Sequence, residues 1–399
     1  MKICILTAHF LNLDQPGMSY ATPFLYDYAK QWVSQGQEVH IIHFSRKYPK
    51  LFFIIMGLLN RAGISAFNKY NVKKETLIEN EYEIDGIKIK RINYKKYFPH
   101  KKTRDKEIEK LSKIVIDYLS DKDFDVILGD CLDPTIFVIS TIKQNKSFSK
   151  VKTALILHNS DKEYIKSAVK EKAQKYIDFW FFRSKPQKEL FAPLLGINLA
   201  DSNYGYLFSG IESCEISKTP AYRKRILKLL YVGALLKNKG LGTILKALAK
   251  SKNRWLSLTV VGDGPDKAFF EKMVLKYSLK DRVTFLGKKS RDEVFYNYNQ
   301  SDALVLVSHE TFGMVYVEAM SQACIPIGTV GEGIDGVVRN DENGFLVPLG
   351  NSDYLSLLFD NFLTLDKTYV EKISSNAFST AKSFTNDRLS SSILKILSK

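Results

Sequence analysis

The residues best placed to do chemistry lie in one stretch, Asp302 to Pro326, which reads DALVLVSHETFGMVYVEAMSQACIP. Ala303 to Val307 has the composition of a buried strand and Phe312 onward that of a helix, so Ser308 to Thr311 is a loop after a strand and before a helix. Such a loop suits an anion. Gly313 permits close backbone approach, and the N–H groups of Phe312, Gly313, Met314 and Val315 point out of the helix start, as phosphate binding requires. Glu310 precedes the helix and Glu318 lies within it. On a continuous helix their spacing rotates them apart by about 80°, off a single stripe. They need not share one role: a carboxylate in the loop can accept hydrogen bonds from sugar hydroxyls, and one about two turns into the helix can take the two vicinal hydroxyls of a ribose. The plain alternative is Glu310 as a helix cap and Glu318 as a solvated helix residue.

Short β-type runs alternate with longer helical patterns almost throughout, which predicts an α/β protein with parallel sheets and crossover helices. In the first half, strands are expected at Lys2 to Thr7, Glu38 to His43, Val126 to Leu128 and Thr153 to Leu157. A helix from about Ala21 to Gln35, closed by Gly36, lies between the first two. The rhythm restarts near Leu227, with strands at Leu227 to Val232, Ser257 to Val261 and Val283 to Leu286 and a helix at Gly240 to Ser251. Tyr204 to Arg225 contains Gly205, Gly210 and Pro220 with little periodicity and reads as the interdomain linker. A chain of 399 residues also exceeds what one core usually serves. The expected division is an N-terminal Rossmann-like domain over 1–204, a second over 205–375, and a C-terminal helix, 376–399, packing back on the first. In sheets of this kind ligands bind beyond the carboxyl ends of the strands.

Composition narrows the field further. Apolar residues are 45% and charged residues 26% of the chain, a profile that excludes disorder and fibrous proteins. The longest apolar run, Leu51 to Leu59, is far short of the roughly 20 residues that cross a bilayer. The opening apolar run is too short for a signal peptide and fits a first strand. Cys4, Cys131, Cys214 and Cys324 are widely spaced, without metal-ligand or disulfide patterning, which points to a reducing, cytoplasmic setting. Asp121, Asp123 and Asp125 lack the downstream glycine and glutamate of a calcium loop and read as a solvated helix end, so no essential metal and no cofactor is expected. Net charge is +16, and residues 1–200 hold 33 Lys and Arg against 22 Asp and Glu. No nucleic-acid motif accompanies that excess, and no nucleic-acid partner is expected.

The pair Glu310 and Glu318, with the interior Phe312-Gly313-Met314-Val315, the strand before it, Glu318-Ala319-Met320 and the entry Cys324-Ile325-Pro326, resembles the E-x7-E signature of retaining GT-B glycosyltransferases, in particular the GT4 or group 1 family. The resemblance spans 227–349 and more loosely the first half. It implies two Rossmann-like doubly wound domains facing a central cleft, and transfer of a hexose or N-acetylhexosamine from a nucleoside-diphosphate sugar, UDP favoured. The implied acceptor is a glycan or a lipid-linked sugar, in bacterial surface polysaccharide or glycolipid synthesis. Gly233 followed by Lys239 and Gly240 is similar to the family's diphosphate loop, with Ala234 where the family has arginine. Lys237 and Arg339 are candidates to replace it. Gly262 and Gly264 match the family's G-D-G-P turn, allowing tight backbone near the nucleotide, and Leu286 ends the strand that faces the nucleobase. Gly331-Glu332-Gly333 and Asn343-Gly344-Phe345 match later loops, with Asp335 where proline is common. His158, at the end of Ala154 to Leu157, matches a histidine near donor sugar and acceptor, and Gly17 lies in the loop that usually carries a glycine pair. On this resemblance Glu310, His158 and Lys239 are the catalytic set. Glu318, Phe312 to Val315, Gly233, Gly262, Gly264, Leu286 and Gly17 bind donor. A noncatalytic partner-binding subunit or a nucleotide-sugar epimerase on the same fold are the alternatives.

Two further runs concern location. Arg46 to Arg61 (RKYPKLFFIIMGLLNR) sets apolar residues between basic flanks, and Tyr94 to Arg104 (YKKYFPHKKTR) is a second basic aromatic cluster. They fit an anionic membrane surface at the inner face of the cell membrane, and equally a buried helix followed by a solvated loop.

Overall fold

The structure, a computed structural model, describes residues 1–11, 13, 23–61, 77–99, 101–198 and 203–398. Gly17 lies outside the described residues, as does the expected helix start at Ala21. Two compact units form. The first comprises Met1–Arg183, Lys188–Leu207 and Ser390–Lys399, and the second Ser184–Gln187 and Phe208–Leu389.

In the first unit the strands are β1 (Lys2–Thr7), β2 (Glu38–Lys47), β3 (Asn80–Ile84), β4 (Ile87–Lys95), β5 (Val126–Asp130), β6 (Lys152–Ile156), β7 (Phe179–Phe182) and β8 (Tyr204–Tyr206). They pair in the order β3-β4-β2-β1-β5-β6-β7-β8, parallel except for the β3–β4 hairpin. The central strands are buried on both faces, as Ile3, Ile5, Val39, Ile41, Ile127 and Leu155 show, because helices cover a parallel sheet on both sides. β1 and β5 are neighbours although the helices after them lead in opposite directions along the sheet, so the switch point of the unit lies between their ends.

The second unit has β9 (Lys228–Val232), β10 (Ser257–Val261), β11 (Val283–Gly287), β12 (Ala303–Val305), β13 (Ile325–Thr329) and β14 (Phe345–Val347). All are parallel, in the order β11-β10-β9-β12-β13-β14, a doubly wound sheet whose switch point falls between β9 and β12.

Several expected boundaries move. Tyr204 to Tyr206, expected as linker, pairs with β7 as an edge strand; three residues with a central glycine are too few for periodicity to reveal. The β3–β4 hairpin and β7 were not anticipated, and the strand expected at Val126 to Leu128 runs on to Asp130. Ser390 onward packs with the first unit, where the Trp32 indole N–H donates to the Ser390 carbonyl at 2.9 Å. No helix among the described residues is long and apolar enough to cross a membrane.

Candidate active site

In the second unit the chemistry gathers at the switch point. The loop after β9 carries Gly233 to Lys239, and the loop after β12 carries Ser308 to Thr311. The Lys239 ammonium donates to Glu310 Oε1 at 2.7 Å, and the Ser308 hydroxyl donates to the same oxygen at 3.0 Å. Gly240 makes this approach possible. Its φ is +79°, and a Cβ there would stand 2.2 Å from the Val307 carbonyl oxygen. Gly313 likewise has φ +85° and caps the short helix Met314–Met320 without a side-chain cap, the Tyr316 N–H turning back to the Gly313 carbonyl at 3.1 Å. The Glu310 loop is tied down from the other side. Gly333 N–H donates to the Glu310 carbonyl at 2.9 Å, Glu310 N–H donates to Glu332 at 3.3 Å, and His309 Nδ1 lies 2.6 Å from Glu332.

The other loops differ in detail from expectation. A Cβ on Gly262 would meet the Gly233 carbonyl oxygen at 1.9 Å, and one on Gly264 the Leu235 backbone at 2.6 Å. These glycines therefore let the loop after β10 pack tightly on the loop after β9. Leu286 in β11 is 37% exposed and available at the strand end. Arg339 makes a two-point pair with Glu342 at 2.6 Å, and the Lys237 ammonium lies 4.7 Å from the Phe269 ring centre. Of the three cations weighed for the diphosphate, Lys239 is the one held beside Glu310.

Glu318 is buried rather than solvated. Tyr298 OH donates to its Oε2 at 2.9 Å and Arg291 to its Oε1 at 3.3 Å, while Arg291 also grips Glu215. Burial pushes the Glu318 carboxyl up, and the Arg291 charge and Tyr298 hydroxyl only partly counter this. Neither Arg291 nor Tyr298 stands out in the sequence, since each lies in the polar helix Arg291–Gln300.

In the first unit a second polar cluster fills the switch point. His158 Nε2 lies 2.6 Å from Asp130 Oδ1, and the Thr7 hydroxyl donates to Asp130 Oδ2 at 2.7 Å. Burial pushes the Asp130 carboxyl up, but His158 and Thr7 outweigh it and hold the carboxyl below its usual range. Asp161 accepts the N–H of His158 at 2.7 Å and of Leu132 at 3.0 Å, and burial raises it to about 6. His9 completes the group. Arg46 approaches its Nε2 at 2.7 Å and Cys131 Sγ its Nδ1 at 3.3 Å, and burial, then the Arg46 charge, lower its pKa to about 3. His9, Asp130 and Cys131 offer ligand atoms within 4.8 Å of one another. The guanidinium on His9 and the raised thiol of Cys131 oppose a cation there. Asp121, Asp123 and Asp125 are exposed, and Asp125 accepts the Lys2 N–H at 2.7 Å. Thr7, His9, Asp130, Cys131 and Asp161 are not marked as site residues by the sequence; an acid closing the apolar run of β5 was the available signal.

The pairing of Lys239 with Glu310 between a glycine-opened loop and a glycine-capped helix coincides with a sequence match: residues 215–380 match the family described as Glycosyl transferases group 1. That segment is a group 1 glycosyltransferase domain. The group 1 domain accounts for most of the second unit. N-acetyl-alpha-D-glucosaminyl L-malate synthase of Bacillus anthracis is 33% identical over 126 residues, 31% of this chain and 32% of that protein. The lipopolysaccharide core biosynthesis glycosyltransferase LpsE of Rhizobium meliloti is 28% identical over 126 residues, 31% of this chain and 36% of that protein. The chain thus spans about a third of the length of the curated relatives it matches. Over the whole chain, the crystal structure of Anabaena HepE with UDP and glucose aligns with a TM-score of 0.62 at 17% identity, covering 100% of this chain and 99% of that one. The fold outside the group 1 domain is therefore also that of this class, an α/β architecture with two Rossmann-like units.

Proposed function

We propose that the protein is a retaining glycosyltransferase that moves a hexose or N-acetylhexosamine from a nucleoside-diphosphate sugar, a UDP-sugar first among them, to a glycan or lipid-linked acceptor in bacterial polysaccharide or glycolipid synthesis. The observation that carries this is the Lys239–Glu310 pair at the switch point of the group 1 domain. Lys239 and the N–H groups of Phe312 to Val315 meet the diphosphate, Glu310 orients sugar hydroxyls, and Glu318 takes the ribose. The bond from the anomeric carbon to the diphosphate oxygen breaks with its electron pair going to the phosphate. The acceptor oxygen bonds to the same face of that carbon, and its proton passes to the departing phosphate oxygen. Positioning and charge, rather than a covalent nucleophile, lower the barrier. His158, oriented by Asp130, stands between sugar and acceptor. No metal is required on this reading, and the protein works in the cytoplasm.

Support comes from relatives that act in lipopolysaccharide core synthesis and from HepE, whose crystals hold UDP and glucose. Ala234, which removes the family's arginine, favours a second reading as a noncatalytic subunit. A thermal-shift panel of UDP-, GDP- and ADP-sugars tests donor binding, because a ligand of the folded state raises its stability. Release of nucleoside diphosphate from the donor that binds, lost in Glu310→Ala, establishes transfer. Donor binding without any release over a panel of acceptors supports the noncatalytic reading instead.

A further inference from the structure

The helix Lys50–Arg61 turns an apolar stripe outward. Leu51, Ile54, Ile55 and Leu58 follow the spacing that places side chains on one helical face, and their exposures are 64%, 60%, 44% and 59%. Phe52, off that stripe, is 8% exposed and stacks on Tyr48 with ring centres 4.9 Å apart. The helix is thus anchored by other residues while its stripe stays outside. Single exposed apolar side chains are ordinary, but four on one face make a continuous surface.

Cations stand at the start of this helix and at the neighbouring strand end. Lys47 and Lys50 are exposed at the start of the helix. Lys47 at the end of β2 pairs in register with Lys95 at the end of β4, and the Lys96 N–H donates to the Lys47 carbonyl at 3.0 Å. The second basic aromatic run therefore leaves the sheet beside the first. In it Phe98 is 57% exposed, Lys101 and Arg104 are exposed, and the Arg104 guanidinium lies 3.5 Å from the Tyr97 ring centre. Neither Arg46 to Arg61 nor Tyr94 to Arg104 contains an acidic residue. Among the described residues, the acids that reach these runs are Asp133 on Lys96 and Thr103, Asp105 and Glu171 on Lys102, and Glu107, which accepts the Lys95 backbone N–H at 2.9 Å.

We infer that this face docks on an anionic phospholipid bilayer, the stripe sinking to the level of the acyl boundary and the lysines lying against lipid phosphates. A protein partner fits less well, because lysine is depleted at protein interfaces, whereas its long stem and charged head suit a membrane surface. The inference rests on the proposed lipid-linked acceptor, which a transferase seated on the bilayer meets directly.

Cosedimentation of the full chain with vesicles of phosphatidylcholine, with and without phosphatidylglycerol, tests it. Binding is expected only with phosphatidylglycerol. It should fall about tenfold or more in Ile54→Ser with Leu58→Ser, since each removes an exposed apolar side chain that docking would bury in the bilayer. Lys47→Glu with Lys50→Glu, or added salt, should weaken it several-fold. Both variants change exposed residues and should keep the donor-induced thermal shift, so a failed bilayer reading is separable from a failed donor reading. Three results overturn the inference: wild type left in the supernatant with both vesicles, variants that bind as wild type does, or self-association abolished by the serine variant, which assigns the stripe to a second copy.

Discussion

The two switch points are built in opposite ways. In the second unit the key carboxylates, the anion loop and the helix start come from one run, and its distant contributors, Lys239 and Glu332, enter through short loops after neighbouring strands. In the first unit the cluster is drawn from the ends of β1, β2, β5 and β6, and Thr7 and Asp130 are 123 positions apart. The polar partners differ as well. The Lys239–Glu310 pair is partly exposed and open to exchange with a ligand, whereas Asp130 and Asp161 are buried and held by fixed donors. A site that must take up and release a diphosphate needs charges that can change partners. One that only orients a histidine does better with charges that cannot.

Removing the exchangeable carboxylate should do most. Glu310→Ala is expected to lower nucleoside diphosphate release by about 100-fold or more, the scale of losing a preorganised charge at a transition state. Unaltered release would break the comparison at its stronger end.

Acid should expose the buried cluster. His9 has a folded-state pKa of about 3 against an ordinary 6.5, so the unfolded chain takes a proton that the folded chain refuses. Its stabilising contribution is complete above about 6.5 and is lost as pH falls toward 3. Between pH 7 and pH 5 wild type should lose about 2 kcal/mol more stability than His9→Gln in urea unfolding. Asp161 acts in the opposite sense, since its raised pKa of about 6 favours folding as pH falls through that value, but it is present in both proteins. Equal pH slopes would show that His9 is not held neutral by its surroundings.

Asp130→Asn keeps the shape and removes the charge that orients His158. Turnover is expected to drop about tenfold, with a displaced pH profile and an unchanged donor thermal shift, on the general scale of acid–base and positioning effects. A lower donor affinity instead would place the two switch points under one role. The smallest effect is expected from Ala234→Arg, which restores a two-point diphosphate contact. Donor affinity should rise about threefold, well within what one charge-assisted hydrogen bond can contribute. No change would mean that Lys239 and the helix-start N–H groups already suffice.

Sequence alone settled what is local. A buried strand, a glycine-bearing loop and a helix start follow one another within Asp302 to Pro326, so residue order and spatial order coincide and the group 1 resemblance was legible there. The alternating βα rhythm was legible for the same reason, since each element is specified by its own periodicity. Tertiary structure decided the rest. Asp130 meets His158 and Thr7 only because parallel pairing sets β1 and β6 on either side of β5. Glu318 became a buried carboxylate only when Tyr298 and Arg291 packed over it. The apolar run at Leu51 to Leu59 showed in sequence that it was apolar, but which face turns outward depended on Phe52 finding Tyr48. Pairing across a sheet and the rotation of a helix on its neighbours are set by contacts between residues far apart in the chain, and no local pattern encodes them.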